Sequence, residues 1–177
     1  LAEHDVEARI VTGRWRRSEP RQTEVKGIPV QAVFTAFKMF HLKGLRKFGD
    51  LVYLLGLLRY LRRNREKYDL LHVHSTSVSA VAVALAGTRY RKPTVMKVMA
   101  GGGWGDVQRL HKEMRLLPRS WVDRKLHEVD RVICLNREAE EECRRAGFSE
   151  EQRVSLPNGF PVGEIAPLSE YRDREPV

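Results

Sequence analysis

The stretch Asp69-Leu-Leu-His-Val-His74 is a nearly continuous apolar run, which is typical of a strand buried in a parallel sheet. Ser75-Thr-Ser77 follows it and is suited to cap a helix. Three more strand-like runs occupy residues 93–100, 130–135 and 152–156, with helical patterning between them. This alternation of strand and helix predicts an α/β fold, a Rossmann-like parallel sheet with helices on both faces.

Upstream of this alternation the predicted elements are shorter and more mixed. Residues 7–12 are predicted as a strand. Residues 23–34 are predicted as two extended pieces broken at Gly27, with Pro29 marking an edge position. Between residues 44 and 66 the apolar side chains recur at helical spacing, which predicts a long helix.

The end of the chain differs in character from the rest. After Phe160 the sequence becomes irregular and polar, as expected of a linker. We therefore predict one domain over residues 1–160 and a linker over residues 161–177. The chain opens on Leu1 rather than on Met, so we expect it to be a fragment.

Composition excludes several classes of protein. The chain has 177 residues, of which 42% are hydrophobic and 31% charged, a globular composition that argues against global disorder. The longest apolar stretch, residues 51–58, is far shorter than the ~20 residues of a membrane-spanning helix. The two cysteines, Cys134 and Cys143, form no CxxC motif and no disulfide framework, which predicts a reducing, cytoplasmic location.

The positive charge is concentrated in one region. The formal net charge is +9, yet residues 14–67 alone carry fourteen Lys and Arg against four Asp and Glu. An anionic membrane surface, a phosphorylated substrate or a nucleic acid are each compatible with such a region. So is a basic face that contacts only solvent.

Polar residues follow each predicted strand of the sheet. They are His74-Ser-Thr-Ser77, residues 100–106, Asn136-Arg137 and Pro157-Asn-Gly159. Parallel α/β sheets bind ligands beyond the carboxyl ends of their strands. The hydroxyls, amides, glycines and imidazole at these positions therefore predict a binding cleft.

The segment Gly101-Gly-Gly-Trp-Gly-Asp106 is the most distinctive of these strand ends. Its glycines would let backbone N–H groups approach a ligand, although a flexible turn explains them equally well. It is neither a GxGxxG fingerprint nor a P-loop, because Asp106 stands at the sixth position and no Gly-Lys-Ser/Thr follows. Asp106 is either a helix cap or a carboxylate that holds sugar hydroxyls.

His72 and His74 lie two residues apart on one strand and should project from the same face. Two imidazoles alone do not supply the four ligands of a zinc site, so no metal is predicted. We expect His72 to be a buried core residue and His74, at the strand end, to donate to or accept from a substrate hydroxyl.

Other common catalytic patterns are missing from the sequence. Residues 137–145 carry four glutamates interleaved with arginines, which predicts a solvated helix face. The sequence contains no GxSxG, HExxH or SxxK motif, so a hydrolase triad is not supported.

Four motifs taken together resemble a known family. They are Tyr68-Asp-Leu-Leu-His-Val-His74, Lys92-Pro-Thr-Val95, Val129-Asp-Arg-Val-Ile-Cys134 and Val154-Ser-Leu-Pro-Asn-Gly159. In this order and spacing they resemble the N-terminal, acceptor-side domain of glycosyltransferase family 4, whose members are retaining enzymes of GT-B fold. The resemblance covers about residues 68–160.

The resemblance implies a function and a set of acceptor contacts. The expected reaction is transfer of a sugar from an NDP-sugar donor to a hydroxyl acceptor, a sugar or a lipid-linked sugar, in polysaccharide or glycolipid synthesis; no cofactor is expected. The residues expected to bind the acceptor are His74, Ser75, Gly101, Gly102, Gly103, Trp104, Asp106, Asn136 and Asn158. The alternatives are a GT-B nucleotide-sugar epimerase and a basic nucleic-acid-binding module, the latter without RNP-like or zinc-finger motifs to support it.

Two departures from the family pattern accompany the resemblance. Many members place a His at the end of the strand that follows Lys-Pro, whereas here that strand ends in the Met99 region, so no catalytic residue is assigned. The family's first strand and its donor-binding C-terminal domain would lie outside this sequence, and we expect the isolated fragment to be marginally stable and inactive. The basic helical segment within residues 14–67 further suggests peripheral binding to the inner face of a membrane.

Overall fold

The computed structural model describes residues 5–14, 16, 18–34, 46–99, 105–114 and 116–159. The strands are β1 (Ile10–Arg14), β2 (Gln22–Val25), β3 (Ile28–Phe34), β4 (Leu71–His74), β5 (Thr94–Val98), β6 (Arg131–Cys134) and β7 (Arg153–Ser155). The helices are α1 (Arg46–Arg63), α2 (Val78–Tyr90), α3 (Asp106–Glu113), α4 (Arg119–Leu126) and α5 (Arg137–Arg145), and a 3₁₀ turn spans Arg65–Lys67.

The second half of the chain forms a four-stranded parallel sheet in the order β4-β5-β6-β7. Each strand is followed by helix and then by its neighbour in the sheet, so the predicted α/β alternation is confirmed. The connection between β5 and β6 contains two helices, α3 and α4. Pro118 separates them because it lacks an N–H and is tolerated only at a helix start.

The core lies between this sheet and its helices. Val73, Met96 and Val132 are register partners on one face, and each is buried. The alanine-rich helix α2 packs against this face so closely that a Cβ at Gly87 would lie 2.2 Å from Thr94 Cγ2. The opposite face carries exposed or half-buried side chains, among them His72, Val95, Lys97 and Ile133.

Hydrogen bonds between Thr94 and Asp130 join the amino ends of β5 and β6. Asp130 Oδ2 accepts hydrogen bonds from the backbone N–H of Thr94 at 2.8 Å and from its hydroxyl at 2.7 Å. Thr94 Oγ1 in turn accepts from the N–H of Asp130 at 3.0 Å. This reciprocal pair gives a physical reason for the Lys-Pro-Thr and Val-Asp motifs, because it fixes the relative position of the two central strands.

The first half of the chain forms a separate three-stranded sheet in the order β1-β3-β2. β2 and β3 form a hairpin whose two turn residues, Lys26 and Gly27, have φ values of 51° and 79°, as a two-residue type I′ turn requires. Pro29 belongs to the middle strand, but pairing with β1 begins only at Val30. At Pro29 the strand therefore has a neighbour on one side, which is where a residue without an N–H is tolerated.

Helix α1 links this sheet to the core. Leu54, Leu57 and Leu61 are buried, and Tyr53 lies with its hydroxyl 3.1 Å from Ser79 Oγ of α2. The helix ends at Arg63, three residues before the end that the sequence suggests. Among the described residues, no helix is both long and apolar enough to span a lipid bilayer.

Candidate functional site

The carboxyl ends of β4 and β5 lie side by side. His74, the last residue of β4, is the register partner of Lys97 in β5, and the N–H of Ser75 donates to the Lys97 carbonyl at 2.8 Å. Ser75 has a left-handed φ of 77°, which is unusual for a residue with a Cβ and turns the chain sharply toward α2. His74 is exposed and Ser75 half-buried, so both face the edge at which a cleft was predicted.

His72 and His74 project from the same face of β4, as their spacing predicts. Their rings stack with centroids 4.5 Å apart. The expectation that His72 is buried is wrong, because Leu71 and Val73 take the core positions and strand alternation leaves both histidines outward. Partial desolvation, then the nearby His74 and Lys97, lower the pKa of His72 below its usual value.

Asp106 occupies a different position from either of the two predicted. Its side chain is 1% exposed, and Oδ2 accepts a hydrogen bond from the N–H of Met99 at 2.9 Å, while Oδ1 accepts from Arg109 at 3.0 Å. The expected contact of Asp106 with acceptor hydroxyls is therefore corrected. The carboxylate at the start of α3 instead bonds the backbone directly after β5, and so links these two elements.

Arg109 is a residue of this edge that the sequence analysis missed. Its guanidinium, held by Asp106, also lies with Nη2 3.4 Å from Ser75 Oγ, and its side chain is 54% exposed. It thus brings α3 to the end of β4. The only sequence signal is its position three residues after Asp106, one helical turn on.

Asn158 reaches the same edge from the segment after β7. Its Oδ1 accepts a hydrogen bond from Lys97 Nζ at 2.7 Å. Because Lys97 is the register partner of His74, the structure brings His74, Lys97 and Asn158 to one edge of the sheet. Lys97 was missed because an isolated Lys in an apolar strand carries no distinctive motif.

Asn136 also lies at this edge, at the end of β6, but its side chain has another use. Its Oδ1 accepts from the N–H of Ala139 at 2.8 Å, which makes it the N-cap of α5. The expected hydrogen bond from Asn136 to the acceptor stays a prediction, and the cap leaves the amide nitrogen of this exposed side chain to make it. Gly101, Gly102, Gly103 and Trp104, and the linker over residues 161–177, lie outside the described residues.

Glu142 departs from the prediction of a solvated glutamate face. It is 8% exposed, and its Oε1 accepts a hydrogen bond from the N–H of Val107 at 3.1 Å. The helices approach closely here, since a Cβ at Gly105 would lie 2.1 Å from Glu142 Oε1. Glu142, on α5, therefore anchors the first turn of α3 to α5. By contrast Glu141 is half-buried, and its contacts with Arg144 and Arg145 lower its pKa to about 2.

The described residues contain no group of three or more His, Cys, Asp or Glu side chains arranged to hold a metal ion. Cys134 and Cys143 are both buried free thiols. Burial raises the pKa of each thiol, which keeps both protonated and unreactive near neutral pH.

The sequence matches the model of a family described as "Glycosyl transferase 4-like domain" over residues 1–159. The chain belongs to this family.

A curated relative of this glycosyl transferase 4-like domain is the UDP-Gal:alpha-D-GlcNAc-diphosphoundecaprenol alpha-1,3-galactosyltransferase of Escherichia coli. The two are 28% identical over 123 residues, which are 67% of this chain and 30% of the relative. The chain thus spans about a third or less of the relative's length.

Two solved structures show the same fold. A sucrose-phosphate synthase structure from Thermosynechococcus elongatus is 16% identical, with a TM-score of 0.61 over 90% of this chain and 80% of that one. HepE from Anabaena, solved in complex with UDP-glucose, is 17% identical, with a TM-score of 0.50 over 76% of this chain and 31% of that one. The predicted resemblance to family 4 and the predicted GT-B-type α/β fold are confirmed for this glycosyl transferase 4-like domain.

Proposed function

We propose that this domain is the acceptor-side half of a retaining glycosyltransferase that moves a sugar from an NDP-sugar to a hydroxyl acceptor in polysaccharide or glycolipid synthesis. The observation that carries the proposal is the alignment of His74, Lys97 and Asn158 along the carboxyl edge of the parallel sheet. That edge is where open α/β sheets bind their ligands.

The chemistry of this edge suits a sugar. His74 and Asn158 are exposed, so an imidazole and an amide are available to hydroxyl groups, and Lys97 orients the amide. In the described residues no activated nucleophile lies at the edge, and none is required if catalysis comes from positioning and charge stabilisation. On this view the donor phosphate helps to deprotonate the acceptor hydroxyl, as the family resemblance implies.

The relatives support a nucleotide-sugar donor and a lipid-linked acceptor. The name of the Escherichia coli relative specifies UDP-galactose and a diphosphoundecaprenol-linked GlcNAc, and HepE was solved with UDP-glucose. We extend these two substrate classes to the present domain. We also propose that residues 1–160 form the acceptor-side domain and that residues 161–177 lead toward a donor-binding domain.

Sugar transfer by the full-length protein tests the proposal. Each of a set of UDP-, GDP- and ADP-sugars is supplied in turn, and release of the nucleotide is measured with and without a GlcNAc-diphospholipid acceptor. His74→Gln should lower acceptor-dependent turnover by about tenfold, the effect of one lost hydrogen bond to a charged or polar partner. Arg131→Gln, an exposed change on the same sheet face but nearer the amino edge, is the matched control. Turnover that is equal in the two variants would contradict the assignment of the edge.

We further propose that the domain works on the cytoplasmic side of a membrane and binds its anionic lipids peripherally through residues 14–67. Val52 and Leu55 are 37% and 58% exposed on α1, and Arg59 and Arg62 continue the same helical line. Exposed apolar side chains beside cations are the features by which helices bind anionic lipid surfaces.

Vesicle co-sedimentation tests this second proposal. Binding should rise with the anionic lipid fraction and fall with salt, and Leu55→Ser should weaken it by several-fold. Leu156→Ser removes a leucine of similar exposure, 53%, outside residues 14–67 and should have no effect. Binding that is insensitive to charge, or equally weakened by both changes, would refute it.

A further inference from the structure

A cavity of about 770 Å³ lies between α3, α4 and α5. None of the described residues that line it belongs to the sheet edge of His74, Lys97 and Asn158. Its volume falls within the roughly 300–1,000 Å³ in which proteins usually bind small ligands. It is therefore large enough to be a binding site separate from the candidate site at the sheet edge.

Contacts between the three helices hold this cavity in shape. His111 Nε2 lies 2.5 Å from Asp123 Oδ1, which joins α3 to α4, and Glu142 Oε1 accepts from the N–H of Val107, which joins α5 to α3. The side chain of His111 is 13% exposed and Glu142 is 8% exposed, so both contacts are shielded from water. A ligand would therefore meet walls that are already formed and need little ordering.

The charges on the walls argue against two classes of ligand. The cavity is lined by three arginines, one histidine and four acidic residues, so positive and negative charges nearly cancel. A multiply charged ion would gain little from such a balance. An apolar ligand would remove these charges from water without replacing their hydrogen bonds, which is unfavourable. The walls suit a neutral ligand rich in hydroxyl groups, because a hydroxyl group both donates to carboxylates and accepts from guanidinium groups.

Three of the charged side chains are available to such a ligand. Arg137 and Glu138 are exposed, and among the described residues the side chain of neither makes a hydrogen bond or an ion pair. The side chain of Arg119 is 74% exposed, and its Nε lies 3.9 Å from Asp123 Oδ2, a long contact. All three can therefore turn toward a ligand without breaking a strong interaction.

The direction of α5 connects the cavity with the sheet edge. Arg137 and Glu138 stand at the start of this helix, directly after Asn136 at the end of β6. Arg145 lines the cavity eight residues further on, about 12 Å away at the rise of about 1.5 Å per residue of an α-helix. A chain-like ligand can therefore extend from the carboxyl edge of the sheet along α5.

We propose that this cavity binds the inner sugar units of a neutral oligosaccharide acceptor whose outermost sugar lies at the sheet edge. The inference rests on the proposed glycosyltransferase function and adds that the acceptor is longer than one sugar. Arg137 and Glu138 are the residues that contact the hydroxyl groups of the inner sugars.

An array of neutral and anionic oligosaccharides, from disaccharides to hexasaccharides, tests the ligand class with the full-length protein. Neutral oligosaccharides should bind, and Glu138→Ala or Arg137→Ala should weaken this binding by about tenfold, the effect of a lost hydrogen bond to a charged group. Glu150→Ala and Arg131→Ala are the matched controls and should bind like the unmodified protein, because both residues are exposed and do not line the cavity. Absence of binding, binding confined to anionic oligosaccharides, or equal affinity in all four variants would overturn the inference.

The length of the acceptor tests the link between the cavity and sugar transfer. With a diphospholipid acceptor that carries one sugar, Glu138→Ala should leave the acceptor KM unchanged. With acceptors that carry three or four sugars, the same variant should raise the acceptor KM by about tenfold and leave the donor KM unchanged. An equal rise for acceptors of every length would contradict a site for the inner sugars.

Two outcomes separate this inference from the proposed function. Transfer that neither Glu138→Ala nor Arg137→Ala affects, whatever the acceptor length, would refute the cavity as an acceptor site and leave the glycosyltransferase function standing. Oligosaccharide binding that depends on Glu138, without transfer from any nucleotide sugar, would refute the function and with it the acceptor assignment, while leaving a carbohydrate-binding cavity.

Discussion

Replacing Asp106 by Ala should loosen the start of α3 much more than the loss of an ordinary surface aspartate. The carboxylate accepts from Met99 N–H at 2.9 Å, and a hydrogen bond to a buried charged group contributes about 1.5–3 kcal/mol. The ion pair with Arg109 adds only about 0.5–1 kcal/mol, because the Arg109 side chain is 54% exposed and screened by water. Together these predict a loss of about 2–4 kcal/mol in Asp106→Ala.

Hydrogen exchange in the full-length protein measures this loss locally. A change of about 2–4 kcal/mol in the opening free energy corresponds to roughly 30- to 900-fold faster exchange of the α3 amides. Asp106→Asn keeps the size of the side chain and one acceptor oxygen, so it should lose about half as much free energy.

The control is Asp69→Ala, which removes a fully exposed aspartate 3.9 Å from Lys92 and should leave the exchange of α3 unchanged. Ordinary surface substitutions change such exchange rates by up to about threefold. If Asp106→Ala raised the exchange rates of the α3 amides by less than that, the proposed role of Asp106 would be refuted. Asp106 would then contribute little to stability and would not link α3 to β5.

Three further substitutions test other contacts. Gly105→Ala should lower the free energy of unfolding by about 1–3 kcal/mol, because its Cβ would lie 2.1 Å from the Glu142 carboxylate. The double variant Gly105→Ala with Glu142→Ala should recover part of this loss, which thermal melting measures. Asn136→Ala should lower the free energy of unfolding by about 1 kcal/mol, whereas Asn136→Asp should keep the N-cap hydrogen bond and the stability. Equal melting temperatures for the two variants would contradict the capping role. The pKa of His72 is lower in the folded protein than its usual value of 6.5. As the pH falls below 6.5, His72 is therefore protonated in the unfolded chain before it is protonated in the folded protein. The contribution of His72 to the free energy of unfolding is thus complete above pH 6.5 and decreases below it. His72→Gln should make urea unfolding less sensitive to pH in that window, and an unchanged pH profile would count against it.

The parallel sheet was predictable because its signal is carried by long apolar runs. In β4 and β5 the runs ending at His74 and Val98 contain enough buried-type residues to identify strands without knowing their partners. The N-cap of α5 was not predicted, because Asn136 was assigned to the acceptor site, although Asn directly before a helix is typical of an N-cap.

The contacts of individual polar side chains were less predictable. His72 looks like a core residue in an apolar run, yet a strand of four residues places only every second side chain inward. Asp106 and Glu142 are buried because hydrogen-bond donors from distant segments meet them, the Met99 and Val107 N–H groups. Such pairings depend on tertiary packing and leave no periodic trace in the sequence.

The candidate site shows the same division. The expectation that polar strand ends converge was correct for His74 and Asn158, because the topology of a parallel sheet alone brings them to one edge. Lys97 and Arg109 were missed, since a single cation in a strand or helix usually lies on a solvated surface. Only their neighbours in three dimensions make them part of the site.

The hydrogen bond from Lys97 to Asn158 has a mechanical consequence. It spans 61 positions of sequence and crosses over β6 to fasten the backbone leaving β7 to the middle of the sheet. Separation of residues 156–159 from the sheet therefore has to break a contact with β5 as well as the contacts of β7 with β6. The ammonium group thereby holds Asn158 beside the end of β5.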